Sequence, residues 1–342
     1  MEILRHPLSL PPSLRGSVAA LGNFDGFHRG HQVVVGEAGR LARDMGVPLA
    51  VVTTEPHPRS FFRPNDPPFR LTPFRERAWL LEQFGVDLLV SLPFDATLSH
   101  FSPQQFVTEI LCEKLGVLHL LAGYDYRFGA KRAGGSDLLA WMGKMEGFGL
   151  SVVEPVTFGI EGAAGQIYSS SLVRDTLREG RARRAASLLG HWWTLSGHVL
   201  EGDKRGRTIG FPTANLALED VLHPKFGVYA VRVTVEGDDA IYGGVANLGC
   251  RPTFDKSDIT LETFLFDFEG DLYGRHIRVE FVGFVRAEQK FSGIEALKAQ
   301  IAQDCQTART LLADPENARD HLPPPRLDRY LADHPVALAK PR

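Results

Sequence analysis

Two histidines three residues apart, His28 and His31, close the stretch Val18 to His31, VAALGNFDGFHRGH. Gly22 and Gly26 bound a tight turn, and Gly30 opens a run with helical patterning to about Met45. A short apolar strand, a glycine-bearing turn and a helix N-terminus aim free N–H groups and the positive end of the helix dipole at one point, an arrangement that binds anions. Both imidazoles can reach a single phosphate there. The chemistry read from this stretch is a nucleotide phosphate pocket, with Gly22, Asn23, Phe24 and Gly30 beside the two rings. His-Xaa-Xaa-His also suits zinc, but no cysteine or carboxylate stands nearby at ligand spacing. A plain turn carrying two incidental histidines is the bland alternative.

Three other stretches carry usable groups. Gly123-Tyr124-Asp125-Tyr126-Arg127-Phe128-Gly129 sets a carboxylate and aromatic rings after an apolar run, where a nucleotide base or flavin ring can stack; an ordinary loop is the other reading. Tyr168 to Arg174 begins a helix, with the hydroxyls of Ser170 and Ser171 as caps and donors and Arg174 one turn in. An arginine there is usually a solvated helix charge, but beside a phosphate pocket it would neutralise departing pyrophosphate. Gly202 to Asn215, GDKRGRTIGFPTAN, is the third. The chain has no Gly-Xaa4-Gly-Lys-Ser/Thr loop, so a kinase built on this stretch is not a P-loop kinase. Gly206, Arg207 and Gly210 make a flexible basic loop able to cover phosphates, and Thr213 and Asn215 offer a hydroxyl and an amide to Mg²⁺ and a phosphate oxygen. A turn-rich barrel loop would look much the same.

The elements that position these groups fall into two kinds. Val18–Leu21, Val47–Thr54, Val86–Leu92, Val117–Ala122 and Ser151–Phe158 read as strands. Helical stretches alternate with them: Gly30–Met45, a helix from Thr72-Pro73 to Phe84, one opening at Ser102-Pro103, Ser136–Phe148 and a long one over Leu172–Leu189. The segment Glu55-Pro56-His57-Pro58 reads as extended, because each proline restrains its predecessor. Such alternation predicts a doubly wound parallel α/β sheet, which binds ligands at the carboxyl ends of its strands. Near Gly190 the alternation stops. Trp193–Leu200, Gly227–Val235, Ala240–Leu248, Ile259–Phe268 and Arg275–Val285 are strands separated by turns, as in a small antiparallel β-barrel. One amphipathic helix follows over Ser292–Leu312, with Ile294, Leu297, Ile301 and Cys305 on one face. The remainder, with Pro323-Pro324-Pro325, reads as a surface tail. The expected domains are therefore 1–186, 187–312 and the tail 313–342.

Composition sets the outer limits. With 342 residues, 44% hydrophobic and 23% charged, the chain can bury two separate cores. A net charge of −3 offers no global basic field for nucleic acid or a membrane surface. Three scattered cysteines, no signal-peptide pattern and no long apolar run point to a reducing, cytoplasmic setting. No signal in the sequence sets an oligomeric state.

Gly22 to His31 resembles the signature of the nucleotidyltransferases that carry His-Xaa-Gly-His. Its Phe-Asp-Gly form most resembles the bacterial bifunctional riboflavin kinase/FMN adenylyltransferases, the FAD synthetases. Two more segments resemble the FMN adenylyltransferase domain: Gly123–Gly129 its Gly-Tyr-Asp-Phe-Arg-Phe-Gly stretch, and Ser169–Arg174 its Ser-Ser-Thr-Xaa-Xaa-Arg stretch. The chain departs from the pattern at Tyr126 (phenylalanine in the family), Ser171 (threonine) and Thr54 (often phenylalanine before Glu-Pro-His-Pro). Gly210-Phe211-Pro212-Thr213-Ala214-Asn215, Gly244-Val245-Ala246-Asn247-Leu248-Gly249 with Arg251-Pro252-Thr253, and Leu261-Glu262 followed by Asp267-Phe268 resemble the riboflavin kinase domain, in its order. The likeness runs from Val18 to Cys305.

What the resemblance implies is specific. The first domain would transfer AMP from ATP to FMN, with His28, His31 and Arg174 on the reacting phosphates and Asp125 and Phe128 toward the flavin. The barrel would phosphorylate riboflavin, with Glu262 as catalytic base, Thr213 and Asn215 at the MgATP site, Gly206 and Arg207 over the phosphates, and Phe211 and Arg251 toward the flavin. Mg²⁺ with ATP, and riboflavin, FMN and FAD as substrates and products, are the expected small molecules. A nucleotidyltransferase for pantetheine phosphate or nicotinamide mononucleotide would share the histidines but needs no barrel. A non-catalytic flavin-binding regulator would not need Glu262, Thr213 and Arg174 together.

Overall fold

The computed structural model describes residues 1–5, 11, 14–159, 165–201, 210–218, 221–252 and 257–342, with the backbone alone at 250–252 and 257–258. Contacts divide them into two compact units: Met1–Pro67, Arg77–Ser169 and Pro324–Arg342 form the first, and Pro68–Glu76 with Ser170–Pro323 the second.

The first unit is a parallel sheet wrapped by helices. Its strands are β1 (Glu2–Arg5), β2 (Val18–Leu21), β3 (Leu49–Glu55), β4 (Leu88–Pro93), β5 (His119–Gly123) and β6 (Gly149–Val153), in spatial order β1-β4-β3-β2-β5-β6. β2 is buried along its whole length because it pairs in parallel with β3 on one side and β5 on the other, which explains an apolar run without alternation. Winding reverses at β2, so the crevice of the sheet opens where β2, β3 and β5 end. There Leu21 lies opposite Val52 and Ala122, and β3 runs on past Val52 to Glu55 while β5 ends at Gly123.

The helices of this unit are α1 (Arg29–Met45), α2 (Pro58–Phe62), α3 (Phe74–Phe84), α4 (Ala96–His100), α5 (Pro103–Gln105), which passes into a π-helix over Phe106–Lys114, and α6 (Ser136–Glu146). α1 ends at Gly46 in the left-handed conformation (φ 65°), which a residue without Cβ adopts at little cost. The segment expected to stay extended after β3 instead turns into α2: His57 Nδ1 accepts the Arg59 N–H at 3.0 Å, and Pro58 occupies the first helical position. Two short strands, β7 (Thr157–Phe158) and β8 (Gln166–Ile167), pair as a ribbon.

In the second unit, the single helix expected over Leu172–Leu189 is two, α7 (Ser170–Arg178) and α8 (Ala182–Leu189), broken at Gly180 with φ 79°. Six antiparallel strands follow: β9 (Thr194–His198), β10 (Ala214–Ala217), β11 (Gly227–Val235), β12 (Ile241–Pro252), β13 (Ser257–Leu265) and β14 (His276–Arg286), ordered β10-β13-β12-β11-β14-β9. An antiparallel bridge from Leu200 to Asn215, with Leu200 N donating to Asn215 O at 2.9 Å, ties the two edges and nearly closes the barrel. Leu216, Leu261, Leu248 and Tyr229 fill one face. On the other, α9 (Ile294–Ala313) sets Ala308, Cys305, Leu311 and Leu312 against Val228, Ala230, Val245 and Phe266. Ile294, expected on that buried face, is 56% exposed, and the helix instead buries Asp304, whose carboxylate takes Nη2 of Arg286 at 2.8 Å. The segment Pro68–Glu76 also belongs here: Trp193 Nε1 donates to Leu71 O at 2.9 Å, and Arg278 Nη2 meets the buried Glu76 carboxylate at 2.6 Å.

The chain finishes in the first unit. α10 (Leu327–Asp333) lies on α1, and β15 (Lys340–Pro341) pairs antiparallel with β6. Gly36 and Gly39 of α1 leave the room that the Tyr330 ring and the Leu327 side chain occupy. The buried Glu37 carboxylate between them accepts the Tyr330 hydroxyl at 2.8 Å and Leu338 N–H at 2.9 Å. A Cβ at Gly39 would stand 2.6 Å from Leu327 Cδ1, and one at Gly36 would intrude on the Tyr330 ring. Gly36→Ala is therefore expected to destabilise the protein by about 1–3 kcal/mol, the usual range for overpacking. A thermal or urea melt tests this, and an unchanged midpoint would mean that Tyr330 is not seated there.

Candidate active sites

In the first unit the turn between β2 and α1, with the first residues of α1, gathers six of the expected residues. His28 caps α1: its Nδ1 accepts the His31 N–H at 3.3 Å, and the His31 ring stacks on it at 3.7 Å between centroids with 20° between planes. A ring nitrogen that accepts carries no proton, so the hydrogen of a neutral His28 sits on Nε2 and makes that atom a donor. His28 is only 5% exposed. Gly30 sits tightly, because a Cβ there would lie 3.2 Å from the His28 ring and 3.4 Å from Tyr168 Cβ. The Phe24 ring is buried under Gly22 and meets His31 edge-on at 5.2 Å, so its side chain props the histidine.

Asn23 is held twice. Thr54 Oγ1 donates to its Oδ1 at 3.1 Å, a polar use for a position expected to matter only for packing. Its carbonyl takes Arg77 Nη1 at 3.0 Å, and Arg77 Nη2 reaches Glu55 Oε2 at 2.7 Å. Arg77 was not among the expected residues, though a signal existed: with Leu80, Leu81 and Phe84 it follows the i, i+3, i+4, i+7 spacing of the buried stripe of α3. After β5, Asp125 and Tyr124 are exposed, whereas Phe128, expected to face a flavin, is a core residue at 6% exposure. It packs between Phe106 at 5.5 Å and Tyr126 at 5.9 Å, and burial pushes the Tyr126 phenol well above its ordinary range, so that group stays neutral. An unforeseen aromatic cluster stands after β3 and β4, where Phe61, Phe62 and Phe94 meet edge to face at 5.2–5.7 Å, with Phe62 63% exposed.

Ser170, Ser171 and Arg174 stand on α7 in the second unit. Arg174 Nε donates to Phe69 O at 2.8 Å, and its guanidinium lies 5.3 Å from the centroid of the Phe69 ring. In the barrel, register assembles the second site. Asn215 on β10 is directly opposite Glu262 on β13, and Glu262 is directly opposite Asn247 on β12. Directly opposed residues share a face with Cβ atoms roughly 4.5–5.5 Å apart, so the carboxylate lies between two amides. That face is the one turned away from Leu216, Leu261 and Leu248. Asn215 Nδ2 donates to Thr213 O at 3.4 Å, which directs its amide oxygen away from that bond. Phe211 lies edge-on to Phe264, two residues from Glu262 on the same face, at 5.4 Å. Gly206 and Arg207 lie outside the described residues, as does the side chain of Arg251, whose backbone pairs with Asp258. Among the described residues no three His, Cys, Asp or Glu side chains converge as a metal cage.

An α/β unit with an imidazole-capped turn at the crevice of its sheet, joined to an antiparallel barrel with a carboxylate between amides, is the arrangement expected of a two-site, nucleotide-dependent phosphotransferase. Comparison with known proteins carries this further. Residues 10–166 match the family model described as FAD synthetase, and residues 189–312 that described as riboflavin kinase. The bifunctional riboflavin kinase/FMN adenylyltransferase of Escherichia coli (strain K12) is 40% identical over 311 residues, 90% of this chain and 97% of its own. The protein of the same description from Pseudomonas fluorescens is 40% identical over 314 residues, 92% and 98% of the two chains. A Streptococcus pneumoniae crystal structure described as a macrolide-efflux protein superposes with a TM-score of 0.78 at 29% identity, covering 90% of this chain and 98% of that one. Among the described residues of this chain no helix is long and apolar enough to cross a membrane. The chain belongs to the bifunctional riboflavin kinase/FMN adenylyltransferase family.

The grip on Asn23 is open to test. Thr54→Val removes one hydroxyl donor at nearly constant volume, and a hydrogen bond of this kind contributes about 0.5–1.5 kcal/mol. A loss of that size in a denaturant midpoint is expected, and an unchanged midpoint would show that the bond contributes nothing.

Proposed function

We propose that the chain makes FMN and then FAD, with each reaction assigned to one set of residues. Riboflavin offers a neutral primary alcohol, a poor nucleophile whose proton must be removed in or after the transition state. Glu262 is the group for that, and positioned proton transfer contributes typically ~10²–10⁴-fold. The flanking Asn215 and Asn247 amides supply N–H donors that orient the carboxylate toward the alcohol. Thr213 and Asn215 contribute oxygen donors only, the kind hard cations prefer, and they are the residues that would hold Mg²⁺. When bound with ATP, Mg²⁺ neutralises charge building on the transferring phosphoryl group. Phe211 and Arg251 are assigned to the flavin, and Gly206 and Arg207 to the phosphates.

FMN adenylylation makes a different demand. The attacking phosphate is already ionised, so alignment and charge neutralisation at the α-phosphorus matter more than a base. His28 Nε2, the His31 ring, the first N–H groups of α1 and the Gly22–Asn23 turn are assigned to the ATP phosphates. Arg174 and the hydroxyls of Ser170 and Ser171 are assigned to the pyrophosphate leaving group. Asp125, with the exposed Phe61–Phe62–Phe94 cluster, is assigned to the flavin end, and Phe128 supports that loop from the core. The observation that carries the reading is the pairing, within one chain, of an imidazole-capped anion turn with a carboxylate set between two amides.

Chromatography of the products from riboflavin, ATP and Mg²⁺ tests the division. Glu262→Gln is expected to lose FMN formation by ~10²-fold or more while still converting supplied FMN to FAD. His31→Ala is expected to do the reverse. Loss of both steps in either folded variant would overturn the assignment.

A further inference from the structure

We propose that Arg77 is a positioning residue for adenylyl transfer, a buried guanidinium that pins the histidine-bearing turn to the end of β3. The inference rests on the assignment of that turn to the ATP phosphates. Arg77 is 0% exposed and so cannot touch a nucleotide; whatever it does, it does through its partners. One arm of its fork holds the main-chain carbonyl of Asn23 at 3.0 Å and the other holds Glu55 at 2.7 Å. It therefore ties the loop leaving β2 to the last residue of β3, the neighbouring strand.

The turn needs such a tie. Phe24 and Phe27 both lie in the left-handed region, at φ 49° and 41°, where a residue with a Cβ is strained by roughly 1–3 kcal/mol. Strain of this kind persists only where the surroundings fix the backbone on both sides. Downstream, Gln32 Nε2 holds Phe27 O at 2.8 Å and the Phe27 ring packs edge-on against Phe84 at 5.2 Å. Upstream, Thr54 grips the Asn23 side chain while Arg77 grips its main chain. The route from Arg77 to the chemistry is short: Asn23 precedes Phe24, and the Phe24 ring is the prop against which His31 stands. A lysine could not replace it, because one compact ammonium cannot span two acceptors that a planar fork reaches with separate nitrogens.

The test uses the full chain and three proteins: wild type, Arg77→Met, and Arg77→Met with Glu55→Gln. The double variant also neutralises the carboxylate that loses its Arg77 partner when the guanidinium goes, so lost folding and lost positioning are read separately. Failure of the wild type to form FAD from FMN and ATP would sink the functional assignment itself. With wild-type activity in hand, Arg77→Met is expected to lower kcat for FAD formation about 10²-fold, the scale of a 1 Å misplacement, with KM for ATP unchanged. Riboflavin phosphorylation by the same molecules should keep its wild-type rate. The double variant should melt closer to the wild type and remain slow, and Arg77→Lys should stay below the wild-type rate. The proposal is overturned if the double variant regains wild-type kcat, if KM rises with kcat kept, or if both activities fall together in every variant.

Discussion

The bond from His31 N–H to His28 Nδ1 is the contact that organises the turn between β2 and α1. A helix N-terminus carries N–H groups without intrahelical partners, and something must meet them. Here the N–H of His31 is met by an imidazole, that of His28. The same bond fixes which ring nitrogen of His28 bears hydrogen, so a backbone requirement and a chemical one are met together. Asn23, Phe24, Gly30 and Arg77 can all be understood as keeping that contact in place while the backbone passes through two strained residues.

The barrel solves its problem with a different regularity. Alternation along a strand sends Leu261 and Thr263 to one face and Glu262 to the other, while register across three strands decides what stands beside the carboxylate. Slipping any of these strands by one residue would bring leucine or alanine to Glu262 in place of an amide. Closure through Leu200 and Asn215 locks β10 in register, although β10 is only four residues long. A short strand can serve a site when its neighbours determine it.

Much of this was legible in the residues. Val18–Leu21 and Gly227–Val235 appear as strands with the bounds read from their apolar runs, and the change from alternating helices and strands to strands alone falls where the barrel begins. Local pattern failed where tertiary contact decides. Leu172–Leu189 has apolar spacing throughout, yet Gly180 takes a positive φ and the helix breaks. Ile294 looked inward and is exposed, while Asp304 on the same helix is buried, with Arg286 there to meet it. β1, β10 and β15 are too short to carry a period. Phe128 illustrates a further limit: a ring after a strand end serves a ligand or a core, and spacing alone does not distinguish the two.

The chain enters and leaves each unit more than once, with changes of allegiance after Pro67, Glu76, Ser169 and Pro323. Consequently no single break in the gene separates one unit from the other. Recombination that joined the front of one such sequence to the back of another would bring a foreign Glu76 to Arg278 and a foreign Tyr330 to Gly36. A single exchange point anywhere within Pro68–Pro323 would therefore cut through contacts inside both units at once.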